Sequence, residues 1–340
     1  MVTLAVRAFM SNSWKSVRRW LPGGLISLVA VIVIVSFVDL QKFVDAVKEA
    51  NYWLLASAFA ASFGWLALRG IVWRTILRGR ASYRDVFLTL CEGYLLNNFL
   101  PFRLGEIGRA FLLGRKSRLG FMEILPTVII ERVLDLAFAA TILLSAVPFV
   151  VGAQGAGRIA LIIGAVVMVG MIGLYLFGRA HDRVMALFDR LTTRKPKLHQ
   201  TGASFLGSLF NGLAILNDGW LFVRVLVWMA INWGFAIFQF YLLILAFFPQ
   251  ASLLWSQFGL GAVAFGNAIP SLPGAVGTFE GALGGALTIL SGDQSGSLAA
   301  AVTMHLINYI STGIIGLFAL SNEGETLLGI YKQLHKRQVE

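Results

Sequence analysis

The sequence predicts an all-α polytopic membrane protein with about six full transmembrane helices and two opposed re-entrant helical hairpins in an inverted repeat. Three observations predict this fold: the composition, several long apolar runs, and a helix-breaking motif that occurs twice. Of the 340 residues, 57% are hydrophobic and 13% are charged, whereas charged residues make up about a quarter of a soluble domain. Several runs reach the roughly 18 apolar residues that indicate a membrane-spanning helix.

The first elements alternate between apolar runs and basic connections. Basic residues precede an apolar run over about Gly24–Val38, which predicts an uncleaved first helix. The charge-balanced stretch 39–51 is typical of a translocated loop, and a second span covers about Tyr52–Val72. The next apolar stretch, Val86–Leu100, is short and has basic residues on both sides. A stretch that enters and leaves on one side is a re-entrant hairpin, predicted here over about residues 86–118.

Two further spans, about Met122–Val151 and Ile159–Phe177, complete a first membrane half of residues 1–177. The longest polar stretch follows, over residues 178–218. Its basic charge and amphipathic pieces predict a cytoplasmic linker that lies along the membrane interface. The chain therefore divides into two membrane halves joined by this linker.

The second half, residues 219–321, has spans over about Trp220–Phe248 and Leu298–Leu320 that flank a second hairpin over about residues 253–290. The nearly uncharged connection before the last span predicts an extracytoplasmic loop, and the basic tail 322–340 predicts a cytoplasmic end. These assignments of loops to the two sides of the membrane are consistent only if the second hairpin enters from the face opposite to the first, as an inverted repeat requires. We therefore expect the protein in the cytoplasmic (inner) membrane, with both termini in the cytoplasm.

The motif N-x2-P-x3-G-x2-G occurs at 98–108 and again at 267–277. Proline lacks a backbone donor and glycine admits strained backbone, so each copy should interrupt a helix. Broken helices at corresponding places in two halves indicate a transporter-like binding site. The alternative is that both copies are ordinary loops that match by chance in a glycine-rich chain.

The first copy of the motif carries charges that suit an anion site. Arg103 and Arg109 flank Glu106. If a half-helix over 104–114 starts inside the protein, its N-terminal amides and the guanidinium groups favour a bound phosphate. The alternative is that both arginines are ordinary positive residues of a cytoplasmic segment.

Other charges interrupt the predicted spans themselves. Glu131 and Asp135 share one face of a helix, and Arg132 can pair with Asp135 one turn on. Charges in a span usually face a cavity or a partner, although a salt bridge that only pins the helix is the alternative. Glu280 follows the second motif and needs a partner, and one of the arginines named above is the expected candidate. A proton-coupled role is a further possibility, because desolvation raises the pKa of a carboxyl group. His305 could line the same cavity, although a lone buried histidine is more often a packing residue.

Composition excludes several classes of protein. The single cysteine, Cys91, rules out an intrachain disulfide framework and a multi-cysteine zinc site, and four scattered histidines do not predict a metal cluster. The net charge of +11 is interpreted as topology signals and anchors for anionic lipid headgroups, not as a nucleic-acid footprint. No cofactor and no metal ion are predicted.

Three stretches occur in order along the chain: Asn98–Arg109, Glu131-Arg132-x-x-Asp135 and Pro270-x-x-Pro273-Gly274-x-x-Gly277-x-x-Glu280. Together they resemble the flippase-like integral membrane family named for the transmembrane region of lysylphosphatidylglycerol synthases. The resemblance covers about residues 20 to 322. It implies a polytopic protein related to enzymes that aminoacylate phosphatidylglycerol and move the product across the membrane. In those relatives a soluble C-terminal domain performs the aminoacyl transfer, so we expect a stand-alone form without that activity. Other relatives are tied to polyprenyl-linked sugar or hopanoid pathways and are sometimes described as glycosyltransferases.

The sequence therefore predicts a flippase, not an enzyme, for a lipid with an anionic headgroup, of the phospholipid or polyprenyl-phosphate type. The alternatives are a membrane glycosyl- or headgroup transferase with a lipid-linked donor, and a non-catalytic lipid-binding scaffold. Besides the lipid, a second copy of the chain and lipid-biosynthesis enzymes are the expected partners. The predicted substrate-binding residues are Asn98, Arg103, Glu106, Arg109, Glu131, Arg132, Asp135, Asn267, Pro270, Pro273, Gly274, Gly277, Glu280 and His305.

Overall fold

The computed structural model describes residues 39–100, 103–152, 155–178, 181–192, 218–269 and 273–322, and the regular structure of these residues is entirely helical. The helices are α1 (Leu40–Glu49), α2 (Tyr52–Ile76), α3 (Tyr83–Phe99), α4 (Leu104–Lys116), α5 (Phe121–Val150), α6 (Ala156–Gly178), α7 (His181–Thr192), α8 (Gly219–Phe247), α9 (Leu253–Gly266), a 3-10 turn (Pro273–Ala275), α10 (Thr278–Ser291) and α11 (Gln294–Asn322). The predicted first span, the predicted C-terminal tail, most of the predicted linker and Pro270 lie outside the described residues.

Four helices are long and apolar enough to cross a membrane: α2, α5, α8 and α11. They coincide with four of the six spans that the sequence predicts. A fifth prediction, Ile159–Phe177, falls on α6, whose apolar stretch Gly157–Val166 is shorter. The all-helical, multi-pass architecture is therefore confirmed, while the count of six full spans stays a prediction.

The stretch 39–51, which its charge balance predicts to be a translocated loop, contains helix α1 over most of its length; its translocation stays a prediction. The side chain of Asp39 accepts hydrogen bonds from the backbone N–H groups of Gln41 and Lys42 and so caps this helix. Asn51 caps α2 in the same way, through the N–H groups of the two residues that follow Tyr52. Each cap satisfies donors that a helix start leaves without partners.

Each motif copy lies between two helices that pack against each other, α3 with α4 and α9 with α10. In the first pair, the backbones touch at Gly93 and Gly105, where a Cβ atom built on Gly105 would lie 2.0 Å from the carbonyl oxygen of Gly93. In the second pair, a Cβ atom on Gly266 would lie 2.9 Å from the carbonyl oxygen of Thr278. Both breaks in the helices are thus present as the motif predicts.

The two halves of the chain pack into each other. Helix α2 packs along α8, α3 packs along α11, and α5 packs along α9. The largest apolar cluster combines residues of α8 to α11 with Ala58 of α2, and a second cluster joins Val72 of α2 and Leu134 of α5 to Val225 of α8. This interleaved packing places both helix breaks in one region of the molecule.

Candidate functional site

A network of buried charges joins α2, α4 and α5. It contains three arginines and three carboxylates, which at ordinary ionisation sum to zero: Arg69, Arg109, Arg132, Glu106, Glu131 and Asp135. Glu131 is completely buried, and Arg69 and Arg109 are 2% and 1% exposed. Charges at such depth are tolerated when they are paired, and in this network each has an oppositely charged partner.

Arg69 holds the centre of this network. Its guanidinium group forms a two-pronged contact with Asp135, with one N–O distance of 2.7 Å, and lies 2.5 Å from an oxygen of Glu131. Asp135 also accepts a hydrogen bond of 3.3 Å from the indole N–H of Trp233 on α8. Asn232, beside Trp233, reaches the same guanidinium group at 3.4 Å. Arg69 therefore ties α2 to both α5 and α8.

Arg109 links α4 to the same network. One guanidinium nitrogen lies 2.7 Å from Glu106, three residues back on α4, and the other lies 3.1 Å from Glu131 on α5. The guanidinium carbon stands 4.6 Å from the ring centre of Trp73, a geometry that adds a cation–π attraction. Arg109 is thus held on several sides by protein groups, which leaves it poorly placed to bind a ligand directly.

Arg132 completes the network on α5. It contacts Asp135 at 3.2 Å, as the spacing predicts, and also reaches Glu131 at 3.0 Å and Glu106 at 3.6 Å. Its side chain is 29% exposed. Its Nε atom is buried and has no hydrogen-bond acceptor among the described residues.

The first helix break ends at Arg103, which begins α4 in a left-handed conformation (φ 54°). Arg103 is an exposed residue, and its guanidinium group donates to the backbone carbonyl oxygen of Asn267 at 2.5 Å. Among the described residues Arg103 has no carboxylate partner. Nearby, the Asn98 amide donates to the hydroxyl oxygen of Thr312 on α11 at 3.1 Å. The two helix breaks therefore meet, and Arg103, a cation that forms no ion pair with a described carboxylate, lies where they meet.

One of the first N–H groups of α4 is already occupied. The amide of Gly105, the second residue of the helix, donates to the side-chain oxygen of Asn97 at 2.8 Å. The predicted anion site on free helix amides is therefore reduced by one donor.

The second helix break is organised around Glu280. One carboxylate oxygen accepts a hydrogen bond of 2.7 Å from the N–H group of Gly277, and the other lies 2.6 Å from Nδ1 of His305. The Nε2 atom of His305 lies 2.9 Å from the carbonyl oxygen of Gly274. The prediction of an arginine partner for Glu280 is wrong. The partner is His305, because α11 packs along α10 and brings the imidazole ring of His305 to the carboxylate.

The helices that follow the two breaks correspond in structure, with a shift relative to the sequence motif. The motif alignment pairs Leu104 with Pro273, but α10 begins at Thr278, because Gly274 and Gly277 adopt left-handed conformations (φ 70° and 85°). Counted from the helix starts, Glu106 and Glu280 both occupy the third position. Each carboxylate therefore lies in a first helical turn, where the helix dipole favours negative charge.

Of the predicted substrate-binding residues, the structure gathers Glu106, Arg109, Glu131, Arg132 and Asp135 into one network, places Arg103 beside Asn267, and pairs Glu280 with His305. Pro273 and Gly274 form the 3-10 turn before α10. Whether these residues bind substrate stays a prediction.

Sequence reasoning missed Arg69, Asn97, Asn232 and Trp233. A signal existed for Arg69, because it is a charged residue inside the predicted second span. The other three are polar or aromatic residues of ordinary appearance, and only the packing of α3 and α8 makes them part of the site.

The helices and the buried network define a polytopic helical membrane protein with an internal charged site. A family model described as "Lysylphosphatidylglycerol synthase TM region" matches residues 20–316. The chain belongs to this family, which implies a role related to membrane lipid.

Relatives of similar length support the assignment. Two UPF0104 membrane proteins of Methanothermobacter thermautotrophicus are 22% identical over 321 residues, covering 88% of this chain and 92% of the relative, and 25% identical over 323 residues, covering 89% and 94%. A UPF0104 membrane protein of Methanocaldococcus jannaschii is 20% identical over 312 residues, covering 87% and 92%. The likeness thus extends over nearly the whole of each chain.

Proposed function

We propose that the protein is a lipid flippase that moves a lipid with an anionic headgroup across the membrane. The observation that carries the proposal is the guanidinium group of Arg103, an exposed residue at the meeting point of two helix breaks. The six-residue network beside it is balanced in charge without Arg103, which is therefore free of an ion pair within that network. A lipid phosphate would supply the missing anion, and a planar guanidinium group can give it two hydrogen bonds at once.

The buried network would give the headgroup a polar wall inside the membrane. Glu131, Asp135 and Arg132 lie on α5, which is long and apolar enough to span a bilayer. A charged headgroup crosses hydrocarbon at high cost unless polar groups replace its water. We infer that the lipid enters between helices, holds its phosphate at Arg103, and keeps its chains in the bilayer.

The helix breaks supply an element that can move. Backbone that is not helical is tolerated at membrane depth only where protein or a water-filled cavity covers it, and broken helices mark substrate sites in transporters. In this interpretation α3–α4 and α9–α10 are opposed re-entrant hairpins of an inverted repeat. The contact between Arg103 and Asn267 would close the route of the lipid between the two hairpins. A lipid phosphate would open it by competing with the Asn267 carbonyl oxygen for the guanidinium group of Arg103.

The test is reconstitution of the purified protein in liposomes that carry fluorescent phospholipids or a polyprenyl phosphate, scored with a membrane-impermeant quencher. The substitution Arg103→Ala removes the charge-assisted hydrogen bond to the lipid phosphate, which contributes about 1.5–3 kcal/mol. We therefore expect the initial rate of lipid movement to fall about 10- to 100-fold. Arg103→Lys keeps the charge without the planar fork and should retain part of the rate.

Arg80→Ala is the matched control, because Arg80 is an exposed arginine paired with Glu123 at 2.6 Å away from the network. Its rate should equal that of the wild type. Equal rates for Arg103→Ala and the wild type would contradict the proposal, provided that both proteins elute as the same folded species.

A membrane transferase that uses a lipid-linked donor is the second candidate. The contact between Glu280 and His305 favours it, because carboxylate–imidazole pairs serve as general bases. Glu131 and Asp135 are weaker candidates for a base, since arginines already hold both carboxylates. If liposomes show no lipid movement, but a modified headgroup appears when a donor lipid is supplied, the transferase replaces the flippase.

A further inference from the structure

A chain of hydrogen bonds latches the turn before α10 onto α11. It runs from the N–H group of Gly277 to one oxygen of Glu280, from the other oxygen to Nδ1 of His305, and from Nε2 of His305 to the carbonyl oxygen of Gly274. The His305 ring also stacks on Phe279, with ring centres 4.3 Å apart. The latch closes a small loop around the two glycines with positive φ angles.

The geometry fixes how many protons the latch needs. A carbonyl oxygen only accepts hydrogen bonds, so Nε2 of His305 must carry a hydrogen to bond Gly274. At 2.6 Å, Nδ1 and the Glu280 oxygen also need a hydrogen between them, because two lone pairs would repel each other. One further proton is therefore required, whether it resides on the imidazole or on the carboxyl group.

The described residues around the latch offer little other charge. Helix α9 has no titratable residue, α10 has only Glu280, and α11 has only His305 and Tyr309. The hydroxyl group of Tyr309 donates to the carbonyl oxygen of Pro273 at 3.5 Å. On α3, which packs against the turn, Glu92 is paired with Lys116 at 2.8 Å. The other titratable residues of α3 and those of α1 and α2, which pack against α11, are Tyr83, Arg84, Asp85, Cys91, Tyr94, Lys42, Asp45, Lys48, Glu49, Tyr52, Arg69 and Arg74. Among the described residues only His305 forms an ion pair with Glu280. On α8 the titratable residues are Arg224 and Tyr241, neither of which contacts the pair in the described structure.

We infer that Glu280 and His305 form a proton-binding site, in which one shared proton latches the second helix break to α11 and its loss releases the turn. With the proton the pair is neutral. Without it the pair carries one negative charge at a partly buried position, with no cation beside it among the described residues. The sign is therefore clear: the latch is intact at low pH and opens as the pH rises.

This inference deepens the proposed function and, as far as coupling is concerned, rests on it. The turn is followed by Thr278, which packs against Gly266: a Cβ atom built on Gly266 would lie 2.9 Å from the carbonyl oxygen of Thr278. Gly266 precedes Asn267, whose carbonyl oxygen holds Arg103, so a change in the latch would reach the proposed phosphate site through this contact. In that role the proton is the coupling ion for lipid movement.

The proton itself is measured first, with the purified full-length protein in lipid bilayers. Nitrogen NMR of histidine-labelled protein reports the protonation of both ring nitrogens, and the signal of His305 is identified by its loss in His305→Gln. Infrared spectroscopy reports a protonated carboxyl group, identified as a band that Glu280→Gln removes. We expect at neutral pH either a His305 ring with both nitrogens protonated or a protonated Glu280, and the loss of both forms at higher pH. Absence of both from about pH 5 upward, through the range where histidine titrates, would overturn the inference.

Hydrogen–deuterium exchange of the segment that contains residues 273–283 measures the release. In the wild type, exchange corrected for intrinsic pH dependence should rise as the proton leaves. In Glu280→Gln the amide oxygen can accept from Gly277 while the amide nitrogen donates to a neutral His305, so the latch should stay closed at every pH. His305→Ala should expose the segment at every pH.

Glu123→Gln is the control for loss of a carboxylate, since Glu123 pairs with Arg80 at an exposed position. This variant should show the same rise in exchange with pH as the wild type. Exchange that shows no pH step in the wild type would refute the latch. If the proton and the step are observed but no lipid moves in liposomes, the flippase proposal fails and the proton site stands.

Discussion

At the scale of single residues, Arg69 shows how a membrane helix accommodates a charge. The guanidinium group is buried and contacts two carboxylates and a side-chain amide. Burial removes water from all of these groups, and mutual pairing offsets most of that cost. Loss of Arg69 would be costly, because it would leave the buried carboxylates of Glu131 and Asp135 with fewer cationic partners.

Replacing Arg69→Ala should therefore destabilise the protein by about 3–5 kcal/mol, the range for breaking a buried pair. Thermal unfolding in detergent, followed by the fraction that remains monodisperse, measures this loss. Adding Asp135→Asn to the same chain should recover part of the stability, because the variant no longer leaves that carboxylate unpaired.

The control at this scale is again Arg80→Ala, which breaks the exposed pair with Glu123. Exposed pairs contribute about 0–1 kcal/mol, so its melting curve should nearly overlay that of the wild type. An Arg69→Ala curve that also overlays the wild type would mean that the buried network contributes little to stability.

At the scale of elements, the close contact of α3 with α4 depends on the absence of side chains. Gly93 and Gly105 let the two backbones touch, and a Cβ atom on Gly93 would lie 2.9 Å from the Cβ atom of Arg109. The contact positions Arg109 for Glu131 and keeps Arg103 at the end of the helix break. Packing of the backbone thus fixes the geometry of the charges.

Gly105→Ala should separate α3 from α4, because its Cβ atom would meet the Gly93 carbonyl oxygen at 2.0 Å. Overpacking of this kind costs about 1–3 kcal/mol, and we expect a lower melting temperature together with a reduced rate of lipid movement. Both are measured on the same purified preparation.

Gly285→Ala is the matched substitution. Gly285 is a helical residue of α10, and nothing lies within 4 Å of a Cβ atom built there. Alanine favours a helix over glycine by up to about 1 kcal/mol, so stability should hold or rise. If both variants behaved alike, the close approach at Gly105 would not be the cause of any loss.

At the scale of the whole molecule, the two halves of the sequence are not separate bodies. Arg69 on α2 contacts Asn232 on α8, and a Cβ atom on Gly316 of α11 would lie 2.6 Å from the Cβ atom of Leu95 on α3. Each half thus completes the other's packing and the pairing of its buried polar groups.

Two fragments, residues 1–200 and 201–340, should therefore assemble when they are expressed together from separate genes. Each fragment alone would expose buried polar groups to lipid, so we expect each to be degraded or aggregated. Co-purification through a tag on one fragment, followed by the flippase assay, measures the assembly. Stable, monodisperse fragments expressed singly would contradict the interleaved packing.

Much of the architecture could be predicted because apolar runs and helix breakers are local. Four spans, both helix breaks and the contact of Arg132 with Asp135 follow from composition, length and helical spacing. Helix α1 was not predicted as a helix, because a charge count reports neither its cap at Asp39 nor its contact with α11.

The sequence by itself determined that the protein is helical, membrane-embedded and interrupted at the two places that carry the motif, since these properties depend on residue type and on near neighbours in the chain. Only the tertiary structure decided that the two breaks meet, that Arg69 belongs to the charged network, and that His305 is the partner of Glu280. Each of these facts is a contact between distant segments. The physical reason is that such contacts depend on how whole helices pack, and several pairings of the same charges would satisfy the sequence equally well.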